Sequence, residues 1–237
     1  MLLPYRITDV VLRREEGFRK YFLLTKHETS RKKIECKYMA RYTGPVQKKL
    51  RSLGLDNFGA YKVRKENKSN QGFTRRRRVS AYGLQLKEKQ KARFLYGIME
   101  KQFKNYYEKA LDMDGITGDN LMVLLEKRLD NALYRTGMFF SRKQSRQAVN
   151  HGHFMVNGSK VDIPSYQVGQ GDEISWGPKG QKTELFEIAK SNCKSIQSPH
   201  WINLDQDKMT ASIVTEPGAE DGEIVVDTVQ IVEYYSK

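Results

Sequence analysis

The chain has 237 residues, room for one large or two modest domains, and a formal net charge of +14 at pH 7. Its 13 Tyr and 10 Phe leave ample apolar mass for burial, which excludes a disordered basic tail. Two distant cysteines, Cys36 and Cys193, exclude a disulfide framework or a cysteine zinc site, and no run approaches the roughly 20 apolar residues of a membrane span.

Free thiols in a reducing compartment follow from that cysteine usage. The N-terminus mixes Asp9, Glu15 and Glu16 with its basic residues and lacks a secretory apolar core. Charge is unevenly spread: residues 39–110 hold 19 Lys+Arg against 5 Asp+Glu, whereas residues 180–237 hold 5 against 10. A polyanion is therefore expected against the first half, with strong salt dependence. The acidic end is expected to face solvent or a basic protein neighbour.

Residues 1–38 show no clean period and read as an appendage. From Met39 the chain is basic and punctuated by Gly44-Pro45, Gly54, Gly59, Gly72 and Gly83, which predicts short helical turns and loops. Arg41, Lys48, Lys49 and Arg51 lie here. Arg75, Arg76, Arg77 and Arg78 are consecutive and cannot share one helix face, so they are read as phosphate contacts rather than as a solubility device.

Residues 86–111 have a helical period, with Phe94, Leu95, Ile98, Met99, Phe103, Tyr106 and Tyr107 as a core stripe. Lys87, Lys89, Lys91, Arg93, Lys101 and Lys104 fall around the rest of that helix, where RNA contact is expected. Gly97 is expected inside the helix, costing about 1 kcal/mol relative to Ala, with close packing as the reason for its presence. Thr117 is the expected N-cap of the next helix, with Asp119 in its first turn. That helix is expected to bury Leu121, Leu124, Leu125, Leu129 and Leu133 and to end at Gly137.

Ser141 with Gln144 makes a capping box for a further helix carrying Arg142, Lys143, Arg146 and Gln147. Ala148 and Val149 sit on its buried side and Gly152 ends it. Phe154 to Val156, Asn157-Gly158, then Val161 to Ile163 is a hairpin with a type I′ turn signal. A strand follows at Glu173 to Trp176 and a short helix over 181–193. Strands are expected near Trp201 to Leu204, Ala211 to Val214 and Val229 to Tyr234, with a turn or loop at Pro217 to Gly222.

The run from Arg128 to Gly158, RLDNALYRTGMFFSRKQSRQAVNHGHFMVNG, is thus a basic helix pair feeding a hairpin. Helix-start N–H groups aimed at a phosphate, and bidentate arginines in the first two turns, suit docking on folded RNA by shape and backbone. His151, His153, Asn157 and Lys160 lie at the hairpin edge.

This run resembles a small RNA-binding module shared by a ribosomal protein, pseudouridine synthases, some tRNA synthetases and a heat-shock RNA binder. The flanks MARYTGP at 39, YGLQLKEKQKARFLYGIMEKQFKNYYEKA at 82–110, TGDNLMVLLEKRLDNALYR at 117–135 and the terminal VEYYSK narrow the resemblance to bacterial-type small-subunit ribosomal protein four. It covers nearly everything from Met39 to Lys237.

The resemblance implies a cytoplasmic, ribosome-bound protein that binds the 5′ domain of 16S rRNA and nucleates assembly of the 30S body. It also implies contact with ribosomal protein five and a position near the mRNA entry path. With proteins five and twelve it would influence decoding accuracy. RNA contact would fall between Arg41 and Arg78, between Lys87 and Lys104, and on Arg128, Arg142, Lys143, Arg146 and the 151–160 edge.

The expected architecture is α+β: a mainly helical basic domain plus a helix-turn-helix and β-hairpin module packed with a small mixed sheet. The expected divisions are 1–38, an N-terminal extension; 39–127, the basic rRNA-binding region with 180–237 packing nearby; 128–178, the module; and 179–237, an acidic helix-and-strand end. Residues 1–38 exceed the usual family start, as a genuine extension or as upstream sequence from a misplaced start codon, the latter being preferred. ENKSNQG at 66–72 departs from the family's turn there, and the zinc of some relatives is not expected.

An RNA-modifying enzyme is the first rival. His151-X-His153 and Asp112-X-Asp114 each lack the further ligands a metal needs, and Asp130 beside Arg128 reads as an ion-pair partner or a helix-surface acid rather than a catalytic acid. A stress or quality-control factor using the module alone is the second, disfavoured by the long basic stretch. No catalytic residues, metal or cofactor are expected.

Overall fold

A computed structural model describes residues 42, 44–55, 80–193, 198–222 and 225–236. Arg41, the arginines 75–78 and the segments 1–38 and 66–72 lie outside the described residues. The helices are α1 (Val46–Ser52), α2 (Ala81–Leu95), α3 (Glu100–Leu111), α4 (Thr117–Glu126), α5 (Leu129–Arg135), α6 (Arg142–Asn150), α7 (Pro178–Gln181), α8 (Glu184–Cys193) and α9 (Thr228–Tyr235). The strands are β1 (Phe154–Val156), β2 (Ser159–Val161), β3 (Glu173–Trp176), β4 (Ile202–Asp205) and β5 (Thr210–Ile213). The α+β class holds, but the sheet is antiparallel throughout, in the order β2-β1-β3-β5-β4, rather than mixed. Among the described residues no helix is long and apolar enough to cross a membrane.

Two cores result. Leu95, Phe103, Tyr107, Leu121, Leu125 and Ile231 form a helical core with α1 to α4 and α9. Leu129, Leu133, Phe139, Val149, Phe154, Trp176, Trp201 and Ile213 form the core of the helix pair and sheet.

The helix expected over 86–111 is two helices. Gly97 has φ +65° and sits in the left-handed region, and the Ile98 N–H donates to Arg93 O at 3.0 Å, a Schellman closure of α2. A Cβ at Gly97 would meet nothing within 4 Å among the described residues; the left-handed backbone conformation is the reason for the glycine that these residues show.

The helix expected over 117–137 also divides, because the 164–168 loop takes its backbone. Val168 N–H donates to Lys127 O (2.8 Å), Leu129 N–H to Tyr166 O (2.8 Å) and Asp130 N–H to Pro164 O (3.2 Å). The break sends Leu121 and Leu125 into one core and Leu129 and Leu133 into the other, with Leu124 only partly buried. Thr117 is the first helical residue and not the cap. Ile116 occupies the cap position without a side-chain bond, while the Asn120 amide braces the preceding loop through the carbonyls of Met113 and Asp114.

The segment 229–234, expected as a strand, is helical. Asp227 Oδ1 accepts from the N–H groups of Val229 and Gln230, capping α9, and Ile231, Val232 and Tyr235 pack into the helical core. Helical spacing against α2 and α4 overrides the local β-preference of a Val-Ile-Tyr-rich run. The helix expected over 181–193 forms as α8 from Glu184 to Cys193, preceded by the separate one-turn α7, and Ala219–Asp221 forms a single 3-10 turn.

Candidate nucleic-acid interface

The module is built by local rules. Gly137 (φ +78°) ends α5 and Gly152 (φ +68°) ends α6. Ser141 Oγ accepts from the Gln144 N–H at 3.3 Å, but Gln144 Oε1 accepts from Phe140 N–H at 3.2 Å, one residue ahead of the expected box partner. Asn157 (φ +49°) and Gly158 (φ +77°) make the hairpin turn. The Asn157 amide donates to Asp172 at 2.7 Å and accepts from Glu173 N–H at 2.9 Å, so this side chain pins the turn to β3.

The cations divide into an inward and an outward set. Arg128 is 1% exposed; it grips Asp130 with Nε (3.0 Å) and Nη2 (2.7 Å) and donates to the Tyr106 hydroxyl (2.8 Å). Burial works against its charge, but the attraction and hydrogen bonds of Asp130 outweigh that and hold its pKa above the ordinary value. Of the two roles expected for Asp130, it takes that of a buried ion-pair partner and not of a helix-surface acid.

Arg142 lies over the rings of Tyr134 (4.5 Å) and Tyr96 (4.8 Å) and donates to Asn131 at 2.7 Å. Arg146 donates to Gly97 O at 3.1 Å and approaches Asp130 at 3.9 Å. Lys89 is buried beneath Tyr234 and bonded to Glu100 at 2.6 Å. Arg93 shares Glu100 and covers Phe94. Burial raises the Glu100 pKa, but hydrogen bonds from Lys89 and Tyr235 win and lower it.

The outward cations are Lys48, Lys49 and Arg51 on α1, Lys101 and Lys104 on α3, and Lys143 and Lys160 in the module; all are exposed except Lys48, which is half-buried. The neutral Gln147 and the side chains of His151 and Asn157 are exposed beside them. Lys87 and Lys91 are half-buried along α2, Lys91 paired with Glu88 at 2.7 Å. His153 is half-buried; burial first, then the neighbouring His151, lowers its pKa. Lys104 makes only a 3.7 Å contact with Glu108.

Sequence reasoning passed over Glu126, which is fully buried at the junction of the two cores. It accepts from Tyr96 (2.6 Å), Asn131 (2.6 Å) and both Nε (2.9 Å) and Nη2 (2.8 Å) of Arg135. Five donors in this neighbourhood, counting the Arg142–Asn131 bond, tie α2 to α5 and α6. The only signal was an acidic residue interrupting a leucine-rich helix. His151-X-His153 and Asp112-X-Asp114 acquire no third metal ligand among the described residues.

Two family models match end to end: the ribosomal protein S4/S9 N-terminal domain over residues 41–126 and the S4 domain over 127–174. A small ribosomal subunit protein uS4 from Nocardia farcinica is 45% identical over 201 residues, covering 84% of this chain and 100% of the relative. This chain belongs to the small ribosomal subunit protein uS4 family. A uS4 of Clostridium botulinum is 44% identical over 208 residues and a uS4A of Clostridium acetobutylicum 45% over 210, each covered completely. The boundary between the two uS4 family models, at 126 and 127, coincides with the break between α4 and α5 and with the Glu126 network. The uS4 family is one of structural RNA-binding proteins, not of enzymes.

Proposed function

We propose that this chain is a structural constituent of the small ribosomal subunit that binds the 5′ domain of 16S rRNA and nucleates assembly of the 30S body. The reading is carried by complete coverage of uS4 relatives at 44–45% identity. It extends to contact with ribosomal protein five, a position near the mRNA entry path and, with proteins five and twelve, an influence on accuracy. Such a protein works in the cytoplasm, bound to the ribosome.

The outward cations on α1, α3 and α6 are the phosphate contacts in this proposal. Arg128, Arg142, Arg146 and Lys89 act from inside, holding the two halves in the register that a folded RNA requires. Residues 39–127 and 128–178 then grip RNA as two parts, and 179–237 braces both.

Each exposed lysine at a phosphate releases about one counterion. Lys101→Ala combined with Lys143→Ala is expected to weaken binding to a 5′-domain rRNA fragment and to flatten the salt slope by about 2. Titration at several salt concentrations reads this directly. An unchanged slope removes both residues from the RNA face.

A further inference from the structure

With Arg142 and Arg146 turned inward, Lys143 is the exposed cation of α6, and the side of the helix that carries Gln144 and Gln147 and runs on to His151 presents amide and imidazole groups. A cavity of about 230 Å³ opens there, lined by Gln144, Gln147, Ala148, His151, His153 and Leu185. Gln144, Gln147, Ala148 and His151 recur at three and four residues, so one helix face forms one wall. The space is below the roughly 300–1,000 Å³ of drug-sized ligand sites and suits a single planar ring.

The lining chemistry narrows the occupant. Ala148 and Leu185 supply apolar contact. The Gln147 amide offers a donor and an acceptor side by side, as a base edge requires. His151 is exposed, in an edge contact with the His153 ring at 5.7 Å, and supplies an aromatic ring for stacking. His153 Nδ1 is buried with no hydrogen-bond partner among the described residues, a polar atom that costs free energy until a group meets it. Lys160 lays its side chain over Gly152, the residue that separates the two histidines in the chain. A phosphate next to a ring seated in the cavity has that ammonium nearby.

We infer that this cavity receives one unstacked nucleobase of the bound RNA, with His151 stacking on it, Gln147 at its edge and Lys160 at the adjoining phosphate. The inference rests on the rRNA-binding reading. It assigns α6 a base-reading role where the sequence pattern suggested phosphate contact alone.

The test uses the full chain and a 5′-domain rRNA fragment, with an unrelated structured RNA of equal length as control. Gln147→Ala combined with His151→Ala is expected to weaken binding about tenfold at every salt concentration with the salt slope unchanged, because stacking and edge contacts release no counterions. His151→Phe keeps a ring and retains most of the affinity, whereas Lys160→Ala lowers the slope by about 1. All three positions are exposed, and unchanged melting temperatures exclude misfolding as the cause. Affinity of the double variant within twofold of the parent, or a reduced slope, overturns the cavity assignment while leaving rRNA binding standing. Failure of the parent to prefer the fragment over the control RNA overturns the rRNA reading, and the cavity assignment with it.

Discussion

Asp130 is 4% exposed and holds a guanidinium that is itself 1% exposed. Removing one partner of such a pair strands the other charge in a low-dielectric interior, which costs about 3–5 kcal/mol. Asp130→Ala is therefore expected to lower unfolding free energy by about that amount in urea titrations, and a loss under 1 kcal/mol would show that Arg128 finds water or another acceptor. At this scale the sequence was only partly legible. An arginine pattern on an amphipathic helix looks the same whether the guanidinium meets a phosphate or a buried carboxylate, because both are anions with matching fork geometry. Arg142 and Arg146 turn inward because Tyr96, Tyr134, Asn131 and Gly97 O converge there from other elements. Tyr96 and Gly97 are distant in sequence, and Asn131 and Tyr134 meet the arginines only once α5 and α6 pack, so the direction was not readable.

Elements were most legible where local chemistry decides them. Gly152, the Asn157-Gly158 turn and the Ser141 cap follow from backbone conformation and short-range hydrogen bonds, and each forms at its expected position. Where distant segments compete for the backbone, reading failed. The 164–168 loop cuts one expected helix into α4 and α5, and packing against α2 turns an expected strand into α9. Gly97 reverses sign between the two accounts. Inside a helix, Gly97→Ala would stabilise by about 1 kcal/mol. At φ +65° it forces a Cβ into the left-handed region and costs about 1–2 kcal/mol, with Gly97→Asn less harmful. Chemical denaturation of the two variants distinguishes these outcomes, and a stabilised Ala variant would contradict the observed end of α2.

In the whole molecule the acidic C-terminal segment does more than meet solvent or a neighbour. Trp201, Ile202 and Ile213 enter the sheet core, while Val226 and Ile231 enter the helical core, so one segment straps both. Part of its charge is used internally: Glu216 pairs with Lys127 at 2.6 Å and Glu233 accepts from Gln85 at 2.8 Å. Together with Glu126 and Arg128, this bracing fixes the outward lysines of α1 and α3 relative to α6 and the hairpin. A large folded RNA is a fitting partner for a basic surface held rigid in this way, since it offers many phosphates at set positions. Salt-washed small ribosomal subunits test that claim most directly. Quantifying the chain against other subunit proteins is expected to give one copy per particle after the wash, and its loss into the wash would contradict a structural role in the subunit.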